Sequence, residues 1–160
     1  MSVIDVVDYL PTHSVKTYND RLLTDITKLV VHHSATSDGD PWSFARHHIY
    51  EHDFPGIGYH SIITRDGRRW KTNYDRTVSY HVGRANDYSI GICLVGDFTY
   101  SQPTVKQKFA LLRDLFRYGR AYGVQADNVQ GHEEAGGYTD CPGDINMEAI
   151  RGAYKFLMNY

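Results

Sequence analysis

What this chain lacks narrows its class before any motif is read. Two cysteines are too few for a disulfide framework. No apolar run approaches the roughly 18 residues of a membrane-spanning helix, so no stable membrane association is expected. A formal net charge of −2 provides no general drive toward nucleic acid, and none is expected as a partner. The opening MSVIDVVDYL has no basic segment and carries Asp5 and Asp8, unlike a secretory signal, so synthesis in the cytoplasm is expected. No repeat, low-complexity tract or linker divides the 160 residues, which predicts one domain over 1–160 and a monomer.

Against this ordinary background of 41% apolar and 22% charged residues, two counts are high: nine histidines and thirteen tyrosines. Histidine is the commonest metal ligand and titrates near neutrality. Tyrosine is frequent where a polar ligand meets an apolar groove. Both counts direct attention to a site.

Residues 1–25 read as an extended arm with a proline turn, packed on the domain surface. KLVVHHSA (28–35) has the character of a buried strand. Asp40 followed by Pro41 marks the start of a helix over 41–52. YHSIITRDGRRWKT reads as a β-hairpin turning at Asp66-Gly67, and SIGICLVGD as a central strand. TVKQKFALLRDLFRYGRAYG is the clearest helix, with Thr104 and Gln107 as a capping box and Gly123 as its stop. Its inward face is predicted to carry Phe109, Leu112, Leu115 and Phe116. A last amphipathic helix is predicted to bury Met147, Ile150, Tyr154, Leu157 and Met158. Strands interspersed with about three helices predict an α/β (α+β) domain, a central mixed β-sheet flanked by helices.

The stretch GHEEAGGYTDCPGD (131–144) holds His132 and Cys141 among turn-forming residues. A structural free cysteine is usually buried among apolar neighbours. Cys93, in GICLVGD, fits that description; Cys141, flanked by Thr139, Asp140, Pro142 and Gly143, does not. In VVHHSAT, His32 and His33 fall on a strand and point to opposite faces, so at most one of them serves a given site. Two imidazoles and a thiolate are a known ligand set for catalytic zinc, with the fourth position open to water. A cysteine–histidine nucleophile pair and an incidental thiol stay open on spacing alone. Glu133 and Glu134 read as solvated loop carboxylates, and Trp42, Trp70, Tyr80 and Tyr88 as core or sugar-stacking residues.

Five segments together, VVHHSAT, GIGYHSIITRDG, SYHVG, SIGICLVGDF and GHEEAGGYTDCPG, resemble the zinc-dependent N-acetylmuramoyl-L-alanine amidases of type 2. That superfamily also holds peptidoglycan recognition proteins and compact phage endolysins. The resemblance runs from about residue 26 to the C-terminus. It implies one Zn2+ bound by His32, His132 and Cys141, in a surface groove beside the sheet. It places Tyr59 at the catalytic tyrosine and Thr139 at a position contacting the reacting centre, where many phage amidases carry lysine. His81 and His60 are expected to contact substrate. The implied reaction is hydrolysis of the amide between N-acetylmuramic acid and the L-alanine of the stem peptide, and the implied partner is bacterial peptidoglycan. The chain is then expected to be a phage endolysin that causes host lysis, a bare catalytic domain without a wall-binding domain, acting on the wall after release or from outside. A peptidoglycan-recognition module that does not cut is the alternative. A regulatory contact with another protein, through the N-terminal arm, is a third reading.

Overall fold

A computed structural model describes residues 2–159. Along the chain run β1 (Val3–Asp5), β2 (Lys28–His33), α1 (Pro41–His52), β3 (Ser61–Ile63), β4 (Arg69–Lys71), β5 (Ser89–Leu94), α2 (Val105–Tyr122), β6 (Val129–Gly131) and α3 (Met147–Met158), with short 3-10 turns between them. The strands form one mixed sheet in the order β1-β4-β3-β5-β2-β6. The β3–β4 hairpin is its antiparallel pair, and the other neighbours are parallel. The expected α/β architecture with three helices is what forms.

The two apolar runs lie side by side as β2 and β5, which explains their composition. β5 is buried throughout and β2 from Leu29 onward, as in strands enclosed by layers on both faces. On one face Leu29, Val31, Ile90 and Ile92 pack against Leu111 and Leu115 of α2 and Ile150 and Tyr154 of α3. On the other, Ile62, Cys93 and Val95 meet Phe44 and Ala45 of α1. Trp42 and Trp70 pack on this second core as an edge-to-face pair with ring centroids 5.8 Å apart.

The predicted surface arm is partly built into the sheet. Val3–Asp5 pairs in parallel with β4, and Val6 and Leu10 are buried in the α1-side core. Unpaired, β4 would present an open row of backbone donors and acceptors; the arm covers it.

Both helix starts follow their capping signals. The Asp40 carboxylate accepts from the Ser43 N–H, and the Thr104 hydroxyl from the Gln107 N–H. Gly123 closes α2 in the left-handed conformation, at φ 67°.

The inward face of α2 differs from the predicted one. Leu115 is buried and Leu112 partly so, but Phe109 and Phe116 are 66% and 36% exposed. The buried row instead runs through Gln107, Ala110, Leu111, Asp114, Leu115 and Tyr118. Two polar residues turn the helix this way. The Gln107 amide donates to the carbonyls of Ile63 and Val95, at 3.3 and 2.8 Å. The fully buried Asp114 carboxylate accepts from the Ser61 hydroxyl at 2.6 Å and from Arg69 at 2.9 Å. On α3, Met147, Ile150 and Tyr154 are buried and Met158 packs against the core. Leu157 is 36% exposed, because it lies about 100° around the helix from Met158.

These contacts predict a contrast between two faces of one helix. Asp114→Ala, which withdraws a carboxylate from a buried guanidinium, should cost about 3–5 kcal/mol. Phe109→Ala should stay within about 0.5 kcal/mol of the parent. Urea denaturation of the two variants measures the difference.

Candidate metal centre and groove

The pleat of β2 sends neighbouring histidines to opposite sides. His33 lies on the α2/α3 side, where its Nδ1 accepts from the Phe98 N–H at 3.0 Å and its ring faces Phe98. His32 lies on the α1 side, beside Cys93 of β5. β6 runs parallel to β2 and ends at Gly131, so its continuation delivers His132 to the same place; the His132 N–H donates to the Val31 carbonyl at 3.1 Å. The rings of His32 and His132 are 4.7 Å apart.

The loop then returns Cys141 to this point. The Glu133 N–H donates to the Cys141 carbonyl at 2.9 Å, and the Cys141 N–H to the Thr139 hydroxyl at 3.1 Å. The Cys141 thiol sits 3.7 Å from His32 Nδ1 and accepts from the His33 N–H at 3.4 Å. His32, His132 and Cys141 thereby offer three ligand atoms within 4.8 Å of one another, a group able to hold a metal ion.

Electrostatics suits that use. Burial, reinforced by neighbouring imidazoles, pushes the His32 pKa well below its ordinary value, and burial lowers His132 too. Both rings are neutral at pH 7 and keep a lone pair for a cation. Burial pushes the Cys141 thiol up to about 11, against the pull of the His33 N–H. A metal taking this site must therefore displace a proton from sulfur.

Tyr59 borders the cluster, its ring 5.2 Å from that of His32. Burial, and then Cys93 and Cys141, hold its pKa well above the ordinary value, so it remains an O–H donor. Thr139 is half-buried at the loop's turn. Its oxygen accepts from Cys141, which leaves its proton free to donate.

The two histidines expected at the substrate are placed differently, one away from the groove and one on its wall. His60 has no exposure: its Nδ1 accepts from the Gly91 N–H at 3.0 Å, and its Nε2 faces the Thr77 carbonyl at 2.9 Å. It is a buried brace between strands, with no surface to offer a ligand. His81 reaches the groove wall but is 8% exposed, with both ring nitrogens engaged by His32 and Ser89. Glu134 is exposed, as its loop setting suggested, but its oxygens are engaged. It accepts from the Gly131 N–H at 2.8 Å and pairs with Arg151 of α3 at 2.8 Å, tying the ligand loop to the helix.

Around the cluster runs an open trough. One part, of about 380 Å³, is bounded by His48, Phe54, Tyr59, Tyr80 and His132; a second, of about 400 Å³, continues past Tyr59 and His48 to Ser34, Asp38 and His47. Tyr80, 39% exposed, stands edge-on to Phe54, whereas Tyr88 packs inward beneath Val82 and Ala85. His48 is a groove residue that the sequence did not single out. Its Nδ1 accepts from the Gly58 N–H at 2.9 Å, and burial lowers its pKa to about 4, so it too is neutral. Its only signal was membership of a histidine-rich helix, all three of whose imidazoles line the trough. A roomier cavity of about 430 Å³ lies between the N-terminal arm and residues 55–57 and 72–74 and contains none of the cluster. Chemistry rather than size locates the site.

A family model described as N-acetylmuramoyl-L-alanine amidase matches residues 22–144. Among curated proteins, the chain is 29% identical over 119 residues to an N-acetylmuramoyl-L-alanine amidase of Sus scrofa, covering 73% of this chain and 20% of that protein. It is 26% identical over 134 residues to peptidoglycan-recognition protein SC1a of Drosophila melanogaster, covering 77% and 71% respectively. Among solved structures, it is similar to the Ph2119 endolysin of a Thermus scotoductus bacteriophage, with a TM-score of 0.81 and 25% identity over 96% of this chain and 99% of that one. The chain thus spans a fifth of the mammalian relative, but nearly the whole of the endolysin.

The donor set makes a direct prediction. Titration of Zn2+ into protein stripped of metal should saturate near one ion per chain with release of protons, because a buried thiol must ionise. Calorimetry in two buffers of different ionisation enthalpy counts those protons, and Cys141→Ala should lose tight binding.

Proposed function

The chain belongs to the N-acetylmuramoyl-L-alanine amidase family, and from that membership we propose that it is a zinc-dependent peptidoglycan hydrolase. The bond cut is the amide between the lactyl group of N-acetylmuramic acid and the L-alanine of the stem peptide. The observation that carries this reading is the convergence of His32, His132 and Cys141 from three segments beside Tyr59 in an open trough. The fit to zinc is supported by the donor set and by spacing. Two atoms bound to one tetrahedral zinc, one nitrogen and one sulfur, lie about 3.6 Å apart; His32 Nδ1 and the Cys141 sulfur are 3.7 Å apart.

Zinc held there would supply a water with a pKa near 7 and a Lewis acid for the scissile carbonyl. The protein's own groups do the rest. The trough orients the stem peptide across the cluster between α1 and the segment of Tyr80. Tyr59, kept protonated by burial, donates to the oxyanion that develops on the carbonyl. Thr139 donates its free proton toward the same centre. Glu134 takes no part in proton transfer, since Arg151 and the Gly131 N–H occupy its oxygens. The likeness to a bacteriophage endolysin along 96% of the chain supports a lytic role on the bacterial wall.

The test is digestion of purified peptidoglycan followed by mass spectrometry. New L-alanine amino termini should appear without new reducing sugars. Cys141→Ala should abolish release, and Tyr59→Phe should slow it about 10²–10³-fold. A folded, zinc-loaded chain that binds muropeptides and releases no L-alanine would establish the recognition reading instead.

A further inference from the structure

His32 can serve a metal through Nδ1 only if the ring's proton sits on Nε2. The structure holds a chain of hydrogen bonds that decides where that proton goes. At its far end the Ser89 hydroxyl lies 2.6 Å from the Ala85 carbonyl. A carbonyl oxygen only accepts, so the single Ser89 proton is committed there. The Ser89 oxygen is also 3.3 Å from His81 Nε2 and must accept from it. That places the His81 proton on Nε2 and leaves Nδ1 as an acceptor. His81 Nδ1 is 2.9 Å from His32 Nε2, which is consequently the donor. The remaining nitrogen of His32, Nδ1, is bare, and it is the nitrogen 3.7 Å from the Cys141 sulfur. Neither ring has a carboxylate among its described hydrogen-bond partners, so burial keeps both neutral.

The ring that carries this relay is itself held from several sides. The His81 and Val82 N–H groups both donate to the Asn86 side-chain oxygen, at 3.0 and 2.8 Å, which folds the segment back on itself. Beneath the ring lies Gly91 of β5. A Cβ there would stand 2.7 Å from His81 Cγ and Nδ1, so any side chain at 91 would push the ring off His32. The edge-to-face angle of 83° between His32 and His81 follows from this seat.

We propose that His81 is a positioning residue: anchored through Ser89 to the Ala85 carbonyl, it holds His32 as the Nε2–H tautomer and aims its Nδ1 lone pair at the metal. Outer partners of this kind typically change metal affinity 10–100-fold when removed. The proposal rests on the reading of His32, His132 and Cys141 as the zinc site, and its test separates the two.

Long-range ¹H–¹⁵N correlation spectra of the full chain, ¹⁵N-labelled at histidine and stripped of metal, report each ring's tautomer. His32 and His81 should both appear as Nε2–H forms at neutral pH. In competition with a chromophoric chelator, His81→Ala should bind zinc 10–100-fold more weakly than the parent. His81→Asn retains an acceptor near the Nδ1 position and should bind closer to the parent than to His81→Ala. Ser89→Ala, which disturbs the fold least, should weaken zinc and introduce a second His32 tautomer. An Nδ1–H form of His32 in the parent overturns the proposal, as does unchanged zinc affinity in Ser89→Ala together with a folded His81→Ala. A parent chain that shows the Nε2–H form but takes up no zinc upholds the proton arrangement and overturns the zinc assignment.

Discussion

Because successive side chains of a strand point to opposite faces, a strand enclosed on both sides must suit two environments at once. Lys28–His33 meets that demand with adjacent histidines that have unrelated jobs. His33 is absorbed into the α2/α3 side by the Phe98 backbone, while His32 emerges among polar groups on the α1 side. A one-residue slip in the register with β5 would exchange them. It would bury the ligand in the main core and dissolve the cluster. The dense aliphatic packing of β2 and β5 is thus what holds the geometry of the cluster, with the Val31 carbonyl also accepting from the His132 N–H.

The second half of the cluster arrives by a different route. His132 and Cys141 belong to a loop whose own hydrogen bonds, Glu133 to Cys141 and Cys141 to Thr139, bring the thiol back beside the imidazole. Glu134 fastens this loop to α3, so a carboxylate two positions after His132 serves support. His32 is 109 residues away from Cys141 in sequence, and the parallel pairing of β2 with β6, with the His33 N–H donating to the Cys141 sulfur, joins the two halves. The enzyme-like chemistry of the site therefore depends on the order of the sheet as much as on the identity of the ligands.

Much of this was legible in the sequence because it is written in local signals. The caps at Asp40 and Thr104, the Asp66-Gly67 hairpin, the stop at Gly123 and the two central strands all have causes within a few residues of themselves. The opposite orientation of His32 and His33 follows from the period of a strand. What escaped were features whose causes are polar and distant. Gln107 and Asp114 look like solvent residues, yet their partners on β3, β4 and the end of β5 draw them inward and rotate α2 away from its phenylalanines. His60 and His81 look like groove ligands, yet each spends its ring nitrogens on neighbours that no periodicity reveals. Val3–Asp5 reads as part of an extended arm packed on the surface until β4 is seen to need a partner.

The two margins of the sheet are built alike. Each ends in a strand of three residues, β1 on one side and β6 on the other. At the first, Asp5 and Lys71 form an ion pair at 3.2 Å across the pair of strands. At the second, the Arg151 guanidinium donates to the Val129 carbonyl at 3.2 Å and so occupies an outward-facing acceptor. Short, charged and partly plugged borders give a neighbouring copy little to zip onto. Such margins disfavour edge-to-edge joining of sheets from separate molecules, because they are short and part of their hydrogen-bonding capacity is already used within each molecule.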